Sequence, residues 1–277
     1  MKTILMFSEQ SHQKALANKI RSITKINSII LYSGERYKKQ KISLISRKIW
    51  RILASFLTGL QFRKSWLGML NYFEENYLDF PEVPIIKCSN INNEEVINEI
   101  KKIRPDLVVV SGTNLLRDKL INEIHKSGKV INLHTGISPY VRGGPNCSNW
   151  CLALKEFWLI GNTIMWLDKG IDSGNLIATE RTPLSGTESL LQVQIAVINH
   201  AHDLYIRCIK AFLDKKQLPN VSQSNFSINR LFLTKDWSLF QMFLALFNFY
   251  FYFYPESKFF KVPADLKLVD FKEKTQS

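Results

Sequence analysis

No glycine fingerprint follows the first apolar run of this chain. Residues 3–7 (TILMF) read as a β-strand and the stretch after them is SEQSHQ, so the turn that would cradle a dinucleotide or a P-loop phosphate is missing and those ligands are disfavoured. Cysteine is scarce: Cys88, Cys147, Cys151 and Cys208 are the four present. The close pair, Cys147 and Cys151, lacks a second pair to complete a zinc cage, which leaves reduced, buried thiols and no metal. No apolar run reaches the roughly 20 residues of a membrane-crossing helix. The longest candidate, 239–254 (LFQMFLALFNFYFYFY), has 16 residues and is interrupted by Gln241 and Asn248. A secretory leader is not visible, because Met1-Lys2 leads into a short apolar run and then polar residues. The expectation is a cytoplasmic chain, with contact to a membrane, where it occurs, at the surface.

Acidic residues are missing from one long stretch. Between residues 36 and 64 there are nine basic side chains and no acidic one, within a chain of formal charge +13. Such a segment is either a solvated basic face or a partner for an anion: a phosphorylated substrate, a phospholipid surface or a nucleic acid. Inside it, residues 43–60 (SLISRKIWRILASFLTGL) place Leu44, Ile45, Ile49, Ile52, Leu53, Phe56 and Leu60 at helical spacing with Arg47, Lys48 and Arg51 on another face. This predicts a basic amphipathic helix, packed on the core, lying on a membrane or touching a partner.

What is present is an alternation of strands and helices. Strand 3–7, helix 13–23, strand 28–32, strand 83–87, helix 93–103, the apolar strand 107–110 and helix 117–127 closed by Gly128 predict an α/β fold with a parallel sheet. Strands at 130–134, 162–167 and 176–181 follow, with a helix at 147–155 and a long one at 189–213. His200 and His202 are two apart in that long helix, off one face, and read as satisfied surface or packing side chains. The length of 277 residues suits one sizeable core and a smaller appendage: an α/β domain over 1–220 with a basic helical insert at 36–80, then an aromatic helical extension at 221–277. The apolar surface of helix 239–254 needs a cover, from the domain, a second copy in a homodimer or a membrane interface; the charged segment beyond Pro255 reads as a surface tail.

The most informative stretch is 130–182. Asn132 and His134 are two apart in a strand, so an amide and an imidazole share one face. Asp172 sits in the Gly-Ile-Asp-Ser-Gly turn after the next strand, where a turn can return its carboxylate to the imidazole. With no Ser or Cys nucleophile in the set, these groups suit direct transfer. As an amine attacks a carbonyl carbon, Asn132 donates to the oxygen gathering charge, His134 handles a proton or stands as imidazolium, and Asp172 orients the ring.

The ordered set Asn132-x-His134, Pro139-x-x-x-Gly143 and Asp172-x-Gly174-x-x-Ile177 resembles the 10-formyltetrahydrofolate-dependent formyltransferases, which include methionyl-tRNA, glycinamide ribonucleotide and sugar N-formyltransferases. The resemblance is strong over 107–183. It implies a Rossmann-like parallel sheet, with Asn132, His134 and Asp172 catalytic. It implies folate contacts from Asn114, Leu115 and Leu116 after the central strand and from Asp168, Gly170 and Ile171 around the pterin, with 10-formyltetrahydrofolate as co-substrate. One departure is Gly136, where the family carries a hydroxyl. The implied acceptor is a small primary amine, anionic or phosphorylated, chiefly that of a nucleotide- or lipid-linked amino sugar. The short aromatic C-terminal segment does not fit a tRNA-binding barrel, so nucleic acid is the lesser partner. Hydrolysis of the formyl donor by water is a further alternative, disfavoured because deformylases carry an N-terminal regulatory domain ahead of the first strand. A catalytically silent, membrane-associated binding protein on the same fold is the non-enzymatic one.

Overall fold

The computed structural model describes residues 1–34, 48–144, 146–167 and 170–271. Its centre is a seven-stranded sheet made of β1 (Thr3–Ser8), β2 (Ile26–Tyr32), β3 (Ile85–Cys88), β4 (Leu107–Ser111), β5 (Lys129–His134), β7 (Gly161–Trp166) and β8 (Leu176–Arg181), in the order β3-β2-β1-β4-β5-β7-β8. Central β1 and β4 are buried almost throughout, as strands covered by helices on both faces must be. Six strands run in one direction and β7 is antiparallel to both its neighbours, β5 and β8. The α/β expectation holds, with a mainly parallel sheet rather than a wholly parallel one.

One face of the sheet is covered by α1 (Ser11–Arg21) and α6 (Leu190–Leu213), the other by α3 (Glu94–Ile103) and α4 (Asp118–His125). Helix α6 opens with a capping box between Ser189 and Gln192, which satisfies otherwise unpaired N–H groups at its start. Gly128 does not take a left-handed cap conformation. A Cβ there would lie 2.3 Å from the Pro105 carbonyl oxygen, so close backbone approach explains the glycine.

The strand order reverses between β1 and β4, and in open α/β sheets ligands collect in the crevice at the carboxyl ends beside such a point. Tyr205 of α6 reinforces it. Its buried hydroxyl accepts from Val110 N at 3.1 Å and donates to Ile131 O at 2.7 Å, tying β4 to β5 one residue before Ser111 and Asn132. Tyr205→Phe leaves that amide and carbonyl unpaired and is expected to cost roughly 2 kcal/mol, measured by denaturant unfolding. A loss below about 0.5 kcal/mol would remove the tie.

The basic amphipathic helix differs from its expected extent. Residues 43–47 of it lie outside the described residues, and α2 (Lys48–Asn76) continues well past Leu60. Ser65, Met69 and Phe73 extend its buried stripe against α1 and α6, and nothing in that stretch breaks a helix. Beyond position 220 the chain also packs more closely than expected. Strand β6 (Arg142–Gly143) pairs with β9 (Leu231–Phe232), and α5 (Cys147–Leu154) packs on α7 (Leu239–Tyr252). The surface-tail expectation fails up to residue 271. Val269 exchanges hydrogen bonds with Thr179, Lys267 bonds the Tyr140 hydroxyl, and Phe271 enters the main core. The outer strand β8 would otherwise present unpaired N–H and C=O groups, and this segment covers them.

Candidate active site

A cavity of about 570 Å³ opens at the reversal point, lined by the turns after β1, β4 and β5 and by residues 170–174. Asn132 and His134 both face it, as alternate residues of one strand. Thr163 of β7 fixes the chain after His134: its hydroxyl donates to Gly136 O at 2.6 Å and accepts from Ser138 N at 2.9 Å. Among the described residues the Asn132 amide makes no hydrogen bond, so its donors are available to a ligand.

The turn after β7 brings Asp172 to the imidazole. Asp172 has φ +48°, a left-handed conformation that Asp tolerates better than most residues. Gln223 supports the turn by donating to the carbonyls of Asp172 and Gly174, each at 2.7 Å. Asp172 Oδ2 lies 3.2 Å from His134 Nδ1 and accepts from Gly143 N at 3.0 Å. The second ring nitrogen, Nε2, lies 3.0 Å from Val141 O. Both nitrogens therefore face acceptors, and a ring carrying hydrogens on both satisfies both.

Gly136 touches this arrangement directly. A Cβ there would lie 2.6 Å from His134 Nε2 and 2.7 Å from Val141 O. The residue read as a missing hydroxyl is a position where the backbone leaves no room for a side chain. The thiol of Cys147 packs 3.5 Å from the same ring nitrogen. Burial, with smaller contributions from Cys151 and Asp172, pushes this thiol well above its ordinary range, which keeps it protonated. All four cysteines are free and buried.

Of the residues implied to hold the folate, Asn114, Leu115, Leu116, Gly170 and Ile171 line the cavity, and Asp168 lies outside the described residues. Asn114 also braces the loop, its Oδ1 accepting from Ile91 N and its Nδ2 donating to Asn90 Oδ1. Leu115 and Ile171 are 52% and 44% exposed. Apolar side chains at a cavity mouth fit a flat heteroaromatic ring.

The opposite wall escaped the sequence reading. His12, Gln13, Trp66, Gln194 and His202 all line it. His202 is no satisfied packing residue, since its Nδ1 has no partner among the described residues, and the same holds for His12 Nδ1 and Gln13 Oε1. His200, by contrast, is satisfied by Asn162 and Glu180. The available signal was three consecutive polar residues, Ser11, His12 and Gln13, opening a helix at a strand end, all of them buried.

Burial holds His12 neutral, pushing it down to about 4, and drives His202 well below its ordinary value, with His12 and Lys19 adding to the effect. The unfolded chain then binds protons that the folded one refuses, so stability falls as pH drops from about 6.5 towards about 4. His12 contributes about 3 kcal/mol to that loss. Unfolding curves across this window are expected to be flatter for His12→Gln than for the wild type; equal slopes would contradict the assignment.

The chain is also similar to known proteins. The chain is 27% identical over 163 residues to methionyl-tRNA formyltransferase of Clostridium perfringens, covering 57% of this chain and 52% of that one. It thus spans about half the length of the curated relatives it matches. Among solved structures, a sugar N-formyltransferase of a Shewanella species superposes with TM-score 0.54 at 16% identity, covering 90% of this chain and 88% of that one. The N-formyltransferase of Helicobacter canadensis, solved in complex with folinic acid and dTDP-3-aminofucose, gives 0.55 at 15% identity, with 91% and 81% covered. The family model described as Formyl transferase matches residues 70–209. That is just over half of the sequence and includes Asn132, His134 and Asp172, and the chain belongs to the formyl transferase family.

Proposed function

We propose that this protein transfers a formyl group from 10-formyltetrahydrofolate to the primary amine of an amino sugar. The observation that carries the reading is the convergence of Asn132, His134 and Asp172 on one cavity whose other rim is the 112–116 loop. The folate supplies an activated formyl carbon, held by residues 114–116, Gly170 and Ile171. Asn132 donates its free amide hydrogens to the formyl oxygen as that oxygen gathers charge. Between the two roles open to His134, acceptors at both nitrogens favour a cationic ring that stabilises the same charge, with Asp172 as its counter-ion. The acceptor N–C bond forms, the donor N–C bond breaks, and the amine proton passes to the departing nitrogen.

The far wall supports this acceptor class. Among the described residues no Lys or Arg lines the cavity. A wall of imidazoles and amides beside the Trp66 ring suits a hydroxyl-bearing sugar. A phosphate on the acceptor then lies outside the cavity. The buried free thiols support a reducing, cytoplasmic setting.

The test is incubation with 10-formyltetrahydrofolate and a panel of amines, following tetrahydrofolate release. Turnover with amino-sugar nucleotides or lipid-linked amino sugars is expected. Turnover only with charged initiator tRNA, or without any amine, would reassign the acceptor to tRNA or water. Absence of folate binding would sink the reading altogether.

A further inference from the structure

Helix α7 contains no charged residue, and its outer side is as apolar as its inner one. At 3.6 residues per turn, Phe240, Phe243, Phe247, Tyr250 and Phe251 fall within an arc of about 100°. All five are exposed, from 39% at Phe247 to 63% at Phe240. The opposite side is secured: Ala245, Leu246 and Phe249 are buried, and Asn248 donates to Leu152 O and Ala153 O. The domain therefore covers one side of this helix and leaves the aromatic side open.

Helix α2 continues the open face. The Tyr250 hydroxyl donates to Gln61 Oε1 at 3.0 Å, and Leu60 and Leu67 near that contact are 43% and 45% exposed. Arg63 and Lys64 are exposed between them, with no ion-pair partner among the described residues. Neither α7 nor residues 59–73 contain an acidic side chain. Acids flank the face, as Asp236 and Glu256 at the ends of α7, with Lys235, Lys258 and Lys261 beside them, and as Glu74 and Glu75 at the end of α2, where Glu74 pairs with Lys14.

We propose that this face docks on an anionic phospholipid surface. Aromatic side chains backed by unpaired cations match an apolar layer capped by negative headgroups, the pattern of a helix lying in the plane of a membrane interface. No described helix is long and apolar enough to cross a membrane, so the contact is peripheral. A second copy of the chain suits the face less well. A two-fold contact there would gather Arg63 and Lys64 of both subunits at one apolar seam, with no acidic side chain on the face to neutralise them.

Co-sedimentation of the full chain with phosphatidylcholine vesicles, with and without phosphatidylglycerol, tests this. Binding to the anionic vesicles is expected, and its loss in Phe240→Ser/Phe243→Ser/Phe247→Ser/Phe251→Ser, a variant altered only at exposed positions and checked for fold by near-UV circular dichroism. Arg63→Gln/Lys64→Gln is expected to weaken partitioning about thirtyfold, from roughly 1 kcal/mol per cation near the surface. No binding to anionic vesicles, or binding that the phenylalanine variant leaves unchanged, would overturn the proposal. A dimer seen by light scattering that this variant dissociates, without lipid binding, would overturn it in favour of a second copy.

Discussion

Asp172→Asn is expected to lower the turnover number for formyl transfer roughly 10³-fold in a protein that folds normally. One oxygen of this carboxylate serves two neighbours, receiving Gly143 N and lying 3.2 Å from His134 Nδ1. Asparagine can put its one oxygen where Oδ2 lies and keep these contacts, but it gives up the negative charge beside the ring. The proposed reaction then lacks the counter-ion that Asp172 supplies beside the ring. Because the turn is also held through Gln223 and the backbone of Gly174, the loss should fall on kcat more than on KM. Steady-state kinetics with an amino-sugar acceptor measure this. Near wild-type kcat in a folded Asp172→Asn protein would remove the carboxylate from the chemistry. His134→Ala and Asn132→Ala, measured alongside, are each expected to lose at least about 10²-fold.

The pattern of what the sequence disclosed follows from how local each feature is. Strands 3–7 and 107–110 were legible because their apolar runs are what a doubly covered sheet requires. The pairing of Asn132 with His134 was legible because a period of two places them on one face. The reversed direction of β7 was not, since a strand's pattern carries no direction. The β6 to β9 pairing is a contact between two-residue segments far apart in the chain, too short to show any period. The wall of His12, Gln13 and His202 was obscured because buried polar side chains look like surface ones until their surroundings are known.

The C-terminal segment bears on the site as well as on the surface. Arg230 N donates to Pro139 O, its guanidinium donates to Tyr140 O and forms a paired contact with Glu156, and Arg142 N donates to Arg230 O. These bonds clamp residues 139–143, the stretch that supplies Val141 O to His134 and Gly143 N to Asp172. Trp150 stacks on Phe232 with centroids 4.6 Å apart and donates from its indole to Gly144 O. The aromatic extension is therefore coupled to the loop that orients the imidazole.

Gly136→Ser supplies the hydroxyl that the family resemblance implies at this position, and it is expected to reduce kcat about 10²-fold rather than improve it. A Cβ at 136 would fall 2.6 Å from His134 Nε2, 2.7 Å from Val141 O and 2.8 Å from Cys147 Cβ, all closer than carbon contacts allow. The Thr163 hydroxyl holds the Gly136 carbonyl from the other side at 2.6 Å, so residue 136 cannot retreat and the imidazole or the 139–143 loop must move. A displacement of about 1 Å at a reacting group is enough for a loss of that size. Gly136→Ala brings the same Cβ without a hydroxyl and separates the two explanations. Equal losses in both variants indicate displacement by volume, whereas recovery in the serine variant alone would mean that the hydroxyl contributes and that the loop has room to shift. A histidine-selective NMR spectrum of each variant provides the second readout, because a displaced His134 changes its ring resonances even where turnover is too slow to measure.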